Sequence, residues 1–241
     1  MTHSCVLLVV LGLSCMNASG QAAILVYFFG DKVASEKFYL SLDGGLNVAQ
    51  MTNFDEGDAR LGINFGLGTH IRLGDQWYLE PEFKPLSRKG ARNLDIPFEL
   101  DDELQVEDAS SDLRLNYIDI PIPLQFKTKS GFYLSTGPQF SFLTGARQIT
   151  EVSLIDGTTV TVDDDVSERF ESFDFGWTGE VGYEIPNQRD GKGLEFRLRY
   201  ARGFTEVWKE DAGFSSHHSV FQLMVVLPFI NPPKSEGESN P

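Results

Sequence analysis

Apolar and polar residues alternate with a period of two in eight separate stretches of this 241-residue chain, and no stretch shows a comparable period of 3.6. Phe38, Leu40 and Leu42 alternate with Tyr39, Ser41 and Asp43. Leu61, Ile63, Phe65 and Leu67 alternate with Arg60, Gly62, Asn64 and Gly66. The same rhythm places Trp77, Leu79 and Phe83 opposite Tyr78, Glu80, Glu82 and Lys84, and Ile118–Phe126 opposite Tyr117, Asp119, Gln125 and Lys127. Further strands are expected within residues 132–144, 173–183, 194–200 and 221–229. Three connections are short (74–76, 129–130, 186–192) and four are long (51–59, 91–114, 147–169, 209–217), and the two kinds alternate strictly. That pattern predicts an all-β, eight-stranded antiparallel up-and-down transmembrane β-barrel, with short turns on the periplasmic side and long loops outside. Strands of about a dozen residues exceed the ~9–11 needed to cross a bilayer when tilted.

A soluble lipocalin-like barrel is the natural rival, since it also alternates. The charges distinguish the two. The polar faces carry Asp43, Glu80, Glu82, Asp119, Glu180, Glu184 and Glu195 against Lys37, Arg60, Arg72, Lys84, Lys127, Arg197 and Arg199, seven acids to seven bases. Eight strands leave a lumen only wide enough for side chains, and ions there must be paired. A charge network inside the barrel is therefore expected from Arg60, Arg72, Glu80, Glu82, Lys84, Asp119, Glu180, Glu195, Arg197 and Arg199. Leu61, Phe65, Ile120, Leu124, Leu198 and Leu223 are expected to face lipid.

The net charge of −15 excludes a nucleic-acid partner, whose phosphates require basic patches. The acid excess is concentrated in the long connections. Residues 91–114 hold eight acids and two arginines, and residues 147–169 hold six and two. Both cysteines, Cys5 and Cys15, fall in a leader-like start, so the rest of the chain offers no disulfide or thiolate chemistry. An apolar run of eight residues (VLLVVLGL, 6–13) and the small residues Ala18 and Gly20 before Gln21 predict an export signal over residues 1–20. A lead-in segment then covers 21–36, the barrel 37–229, and a disordered periplasmic tail 230–241.

Groups suited to chemistry are sparse. His70 lies on the polar face and is expected to pair inside. His217 and His218 fall in the last long loop, where a rim-site enzyme would need them. Asp163, Asp164 and Asp165 resemble a hard-cation cluster without the spacing of a calcium loop and read as a solvated loop tip. Gly62, Gly66 and Gly68 alternate within a strand and are expected to make room in the lumen. No catalytic group, metal site or cofactor is expected. Prolines 121, 123 and 138 sit inside strand patterns, where each removes a ladder donor.

Several local motifs carry a family resemblance. They are Asp43-Gly44-Gly45-Leu46-Asn47, Leu79-Glu80-Pro81-Glu82-Phe83, the segment Tyr117-Ile118-Asp119-Ile120-Pro121, Gly137-Pro138-Gln139 and Phe173-Asp174-Phe175-Gly176. Together they resemble the PorT-type outer-membrane β-barrel domain, over about residues 37–229. The resemblance implies a barrel related in architecture to the OmpA membrane domain, located in the bacterial outer membrane, in a family named for a member linked to maturation of secreted proteases and whose members mostly have no assigned function. The expected function is non-enzymatic: a structural, interaction or export-accessory barrel with a closed lumen. A narrow solute channel and a rim-site enzyme are the alternatives. Its expected partners are outer-membrane lipid and another envelope protein reached through the acidic loops.

Overall fold

The computed structural model describes residues 37–52, 57–94, 106–155, 157–185, 193–209 and 215–228. The expected export signal, lead-in segment, 186–192 turn and tail from residue 230 lie outside these. The strands are β1 (Phe38–Met51), β2 (Asp58–Arg72), β3 (Trp77–Leu79), β4 (Glu82–Leu94), β5 (Val106–Pro121), β6 (Leu124–Lys127), β7 (Phe132–Leu154), β8 (Thr159–Asp165), β9 (Phe173–Ile185), β10 (Leu194–Gly203) and β11 (His218–Pro228).

All pairings are antiparallel, and β1 bonds to both β2 and β11, so the sheet closes on itself. β3 and β4 together form the third wall strand, and β5 and β6 together form the fourth. The wall therefore has eight strands in the order β1, β2, β3/β4, β5/β6, β7, β9, β10, β11.

The two interrupted strands accommodate Pro81, Pro121 and Pro123, while Pro138 lies within the continuous β7. Thr69 donates to the Pro81 carbonyl, Glu80 to the Pro123 carbonyl and Ile122 to the Pro138 carbonyl, each at 2.9 Å. These prolines sit on three neighbouring wall strands. Pro81 and Pro123, which have no N–H to give, fall in the gaps between β3 and β4 and between β5 and β6, while their carbonyls still serve the ladder.

Outward positions carry exposed apolar side chains on every wall strand, including Leu46, Phe65, Phe83, Leu134, Val181, Leu198 and Leu223. On β2 the outward run from Leu61 to Ile71 covers ten residue steps. At ~3.3 Å per residue and ~40° of tilt, that is a band ~25 Å tall, the height of the apolar girdle of an outer-membrane barrel. Hydrophobic residues facing outward and ion pairs facing inward invert the order of a soluble barrel.

Two of the expected long loops are largely strand. β4 continues to Leu94 and β5 begins at Val106, so residues 91–94 and 106–114 are strand. Residues 147–169 are the upper part of β7, all of β8 and a short 3-10 turn, Ser167–Arg169. β8 pairs with β7 alone, from Arg147↔Asp165 to Ser153↔Thr159. Its exposed Asp163 accepts a hydrogen bond from Arg147 Nε at 2.9 Å. Acids in this stretch suggested a loop because Asp is depleted from strands. A two-stranded fin standing in water tolerates them.

Two of the bulges in the wall shift the alternation of β4 and β7. Between Lys84 and Ser87 the pairing of β4 with β5 slips by one residue, and between Asn116 and Tyr117 β7 inserts an extra residue near Thr144. Inward residues thus change from even numbers (Glu82, Lys84) to odd (Ser87, Lys89, Ala91) on β4. On β7 they change from odd (Gln139, Ser141) to even (Ala146, Gln148).

Candidate functional site: the barrel lumen and its outer cap

The lumen is filled in layers. Nearest the short turns, Lys127 Nζ donates to Glu184 Oε2 at 2.9 Å and to Glu195 Oε1 at 3.0 Å, and stands over the rings of Tyr78 and Tyr133. His70 stacks on Tyr39 at 4.2 Å, with Nδ1 2.7 Å from Glu80 Oε1 and Nε2 2.9 Å from Ser41 Oγ.

The next layer is held by two arginines on β10. Arg197 pairs with Glu82, reaches Glu80 Oε2 at 3.0 Å and Glu180 Oε2 at 3.2 Å, and lies 3.5 Å from Glu195 Oε2. Arg199 bridges Glu82 at 2.6 Å and Glu180 at 2.8 Å. Lys84 Nζ lies 3.3 Å from Glu82 and 3.3 Å from Asn64 Oδ1. Gly66 and Gly68 leave the space that Lys84, Ser41 and Asp43 occupy.

Above these, Asn47, Asn64 and Gln222 share an amide cluster. Lys89 then donates to Asp119 at 2.9 Å and Ser141 at 3.2 Å, and lies over the Tyr117 ring.

Opposite walls touch at two levels. Glu82 is on the third wall strand and Arg197 and Arg199 are on the seventh, half a turn away around eight strands. Tyr117, on the fourth, meets His218, on the eighth, through its hydroxyl at 3.1 Å. At the long-loop end the lumen is apolar. Leu94, Leu113, Leu115, Val166, Phe170 and Trp208 pack together, with the Phe170 and Trp208 rings 4.2 Å apart. A dry cap thus sits over a charged lower lumen.

Eight of the ten expected network residues are buried here: Glu80, Glu82, Lys84, Asp119, Glu180, Glu195, Arg197 and Arg199. Arg60 and Arg72 are not among them. Arg72 pairs with exposed Asp75 at 3.3 Å at the β2–β3 turn. Arg60 reaches Asp112 at 3.7 Å, and its chain lies against Gly90; the β2–β4 pairing slips between Ala59 and Asn64. The buried charged set holds seven acids (Asp43, Glu80, Glu82, Asp119, Asp174, Glu180, Glu195) and five cations (Lys84, Lys89, Lys127, Arg197, Arg199), short of the expected seven-to-seven balance.

Lys89 escaped the sequence reading because the β4 bulge moves it inward. The apolar cap escaped because Leu113 was assigned to a loop and Leu115 and Val166 were not read as core. His218 is not a loop residue: it begins β11 and is buried, while His217 lies 3.8 Å from Glu206 at the rim. The two histidines therefore share no site. Among the described residues no three His, Cys, Asp or Glu side chains are placed to hold a metal ion.

A closed wall of eight strands, apolar outside and ion-paired within, defines a small membrane-spanning barrel. Residues 31–209 match the family model described as outer membrane protein beta-barrel domain, and the chain belongs to that family and to the bacterial outer membrane. Among solved structures it is similar to Neisserial surface protein A, with 15% identity over 80% of this chain and 98% of that one and a TM-score of 0.40. It is similar to Ail, the attachment invasion locus protein of Yersinia pestis, with 10% identity, 81% and 99% coverage, and a TM-score of 0.39. The outer membrane protein OprG from Pseudomonas aeruginosa is 13% identical, with 82% and 96% coverage and a TM-score of 0.37. No curated protein sequence matches.

Proposed function

We propose that this protein is a non-enzymatic, non-conducting outer-membrane barrel that is exported by its N-terminal segment and works through surfaces rather than through a pore. The observation that carries this reading is the contact of Glu82 with Arg197 and Arg199 across the barrel diameter, with the apolar cap above it. An ion crossing the lumen would have to part buried ion pairs and then pass an apolar plug. In this reading the short turns, the start of β1 and the end of β11 face the periplasm. The long connections, with most of the acid excess, face outside and meet another envelope protein. The PorT-type resemblance favours an export-accessory role for that contact.

Conductance across planar lipid bilayers tests the closed lumen. The wild-type protein should give no stable steps. Regular steps from the wild type would overturn the reading. Protease added to intact cells tests the orientation: it should cut within residues 91–114 or 147–169 and spare an epitope placed after Pro241.

A further inference from the structure

We propose that the outer face of β4, β5 and β7, at the long-loop edge of the apolar band, binds the phosphorylated headgroup of an outer-leaflet glycolipid. In a chain of net charge −15, five arginines gather here: Arg60, Arg88, Arg92, Arg114 and Arg147. Arg88, Arg92, Arg114 and Arg147 are exposed on the outside of the wall. Arg114 stands directly opposite Arg147 in the β5–β7 ladder and opposite Gly90 in the β4–β5 ladder, with Arg60 extending over Gly90. Arg60, Arg88, Arg114, Arg147 and Asn116 line a cleft of about 210 Å³.

Acids neutralise only part of this cluster. Asp112 is shared by Arg60 and Arg92 at 3.7 and 3.6 Å, and Asp163 is taken by Arg147. Among the described residues no carboxylate bridges Arg88 or Arg114. Like charges placed directly opposite in a ladder destabilise it; Asp163 offsets Arg147, but Arg114 faces it with no carboxylate of its own among the described residues, so an added anion would relieve the repulsion.

The bulges explain how the cluster arises. Without the extra residue in β4, Arg88 would share the inward phase of Glu82 and Lys84. Without the one in β7, Arg147 would share the inward phase of Gln139 and Ser141. Each bulge turns an arginine out of the lumen onto the membrane-facing wall, a use to which bulges are well suited.

Position selects the ligand class. Below the arginines the wall turns apolar: Leu61 follows Arg60, Leu86 lies below Arg88, and beyond Asn116 and Thr144 come Ile118 below Arg114 and Phe142 below Arg147. A ligand with phosphates at the headgroup level and acyl chains beneath them matches both surfaces. Guanidinium groups favour it, because their planar fork matches phosphate oxygens two at a time. The outer-leaflet location rests on the orientation given under Proposed function.

The test uses the full-length protein folded in neutral detergent, with bis-phosphorylated lipid A, its dephosphorylated form and inorganic pyrophosphate as three probes, read by native mass spectrometry. Bis-phosphorylated lipid A should bind, the dephosphorylated lipid should not, and R114Q with R147Q should weaken binding about tenfold. The heat-dependent gel mobility of the barrel reports folding. If the double variant does not fold, R88Q, which breaks no ion pair, takes its place. Equal binding of both lipids, or no loss in the variants, overturns the site. Pyrophosphate binding as tightly as lipid A would also overturn it, as a free-anion site. Protease results that place the long loops in the periplasm would overturn the orientation alone, because lipid A binding in detergent does not depend on it.

Discussion

Arg197 and Glu82 are 115 residues apart in sequence and form an ion pair across the full diameter of the barrel. Arg197 also lies against Glu80, Glu180 and Glu195, so one guanidinium is shared by carboxylates from the third, sixth and seventh wall strands. Arg197→Met should leave these carboxylates facing each other without water. A loss of at least ~3–5 kcal/mol is expected, the cost of leaving a buried charge uncompensated. Urea titration of the folded barrel in lipid vesicles measures it, and a loss below ~1 kcal/mol would mean that the lumen is wet enough to screen the charges.

Lys89 and Asp119 form a smaller unit suited to a double-mutant cycle. Both are buried and 2.9 Å apart. Lys89→Met and Asp119→Asn should each be more costly than the double substitution is relative to either single one, with a coupling of ~1–3 kcal/mol. Strict additivity would show that the pair contributes nothing as a pair.

Position within the apolar band sets the cost of a charge on the lipid face. Phe65 and Leu198 lie well inside the band, whereas Leu61 is at its edge beside Arg60 and is 73% exposed. Phe65→Arg or Leu198→Arg should cost ~2–4 kcal/mol and Leu61→Arg no more than ~1 kcal/mol. Folded yield in vesicles of matched thickness separates them, and equal costs would displace the band from where Leu61 and Ile71 put it.

Gly182 faces the lumen beside Tyr133, and a Cβ there would overlap the tyrosine ring. Tyr133 accepts a hydrogen bond from Arg197 Nε at 3.2 Å, so the ring cannot retreat freely. Gly182→Ala should destabilise by ~1–3 kcal/mol through overpacking, and Tyr133→Leu in the same chain should recover part of the loss. A neutral single substitution would show that the ring moves without resistance.

At the rim, the Ser215 hydroxyl and the Ser216 N–H donate to Glu206 at 2.6 and 2.9 Å, and these bonds hold its carboxyl below the usual carboxylate range. Because the folded value is lowered, the contribution to loop order is present above the ordinary value and disappears as pH falls through the lowered one. Ser215→Ala should move the Glu206 titration upward toward the ordinary value, as followed by carboxyl carbon shifts in NMR. An unmoved titration would assign the shift to another group.

The wall strands were legible because burial on one side and lipid on the other impose a period of two that Phe, Leu and Ile obey along β2, β10 and β11. Eight members of the lumen network were legible for the same reason. The exceptions follow from breaks in that period. Lys89 and Arg88 exchange faces at the β4 bulge, and no residue in Pro85-Leu86-Ser87 marks the slip unambiguously, since the proline also suits an ordinary strand interruption. Arg60 was misplaced where the ladder to β4 slips. Val166 and Phe170 act as core only because the chain returns from β8 to the mouth of the barrel, a long-range event invisible to local alternation. The prolines looked incompatible with their strands because the pattern shows the missing donors and not the carbonyls that remain in use.

The joining of β1 to β11 makes the last strand supply half of the first strand's ladder. Until it arrives, every partial sheet has two open edges, and an open edge cannot rest in hydrocarbon, where no water satisfies its amides. Arg197 and Arg199 arrive late as well, on the next-to-last strand, so Glu80 and Glu82 have no counter-ion from that wall until most of the chain has been exported. Insertion, ring closure and burial of the lumen charges are therefore one cooperative step with a high loop-closure cost. The meeting of β1 with β11 joins the wall strands farthest apart in sequence, so it carries the largest loop-closure entropy of any contact in the wall.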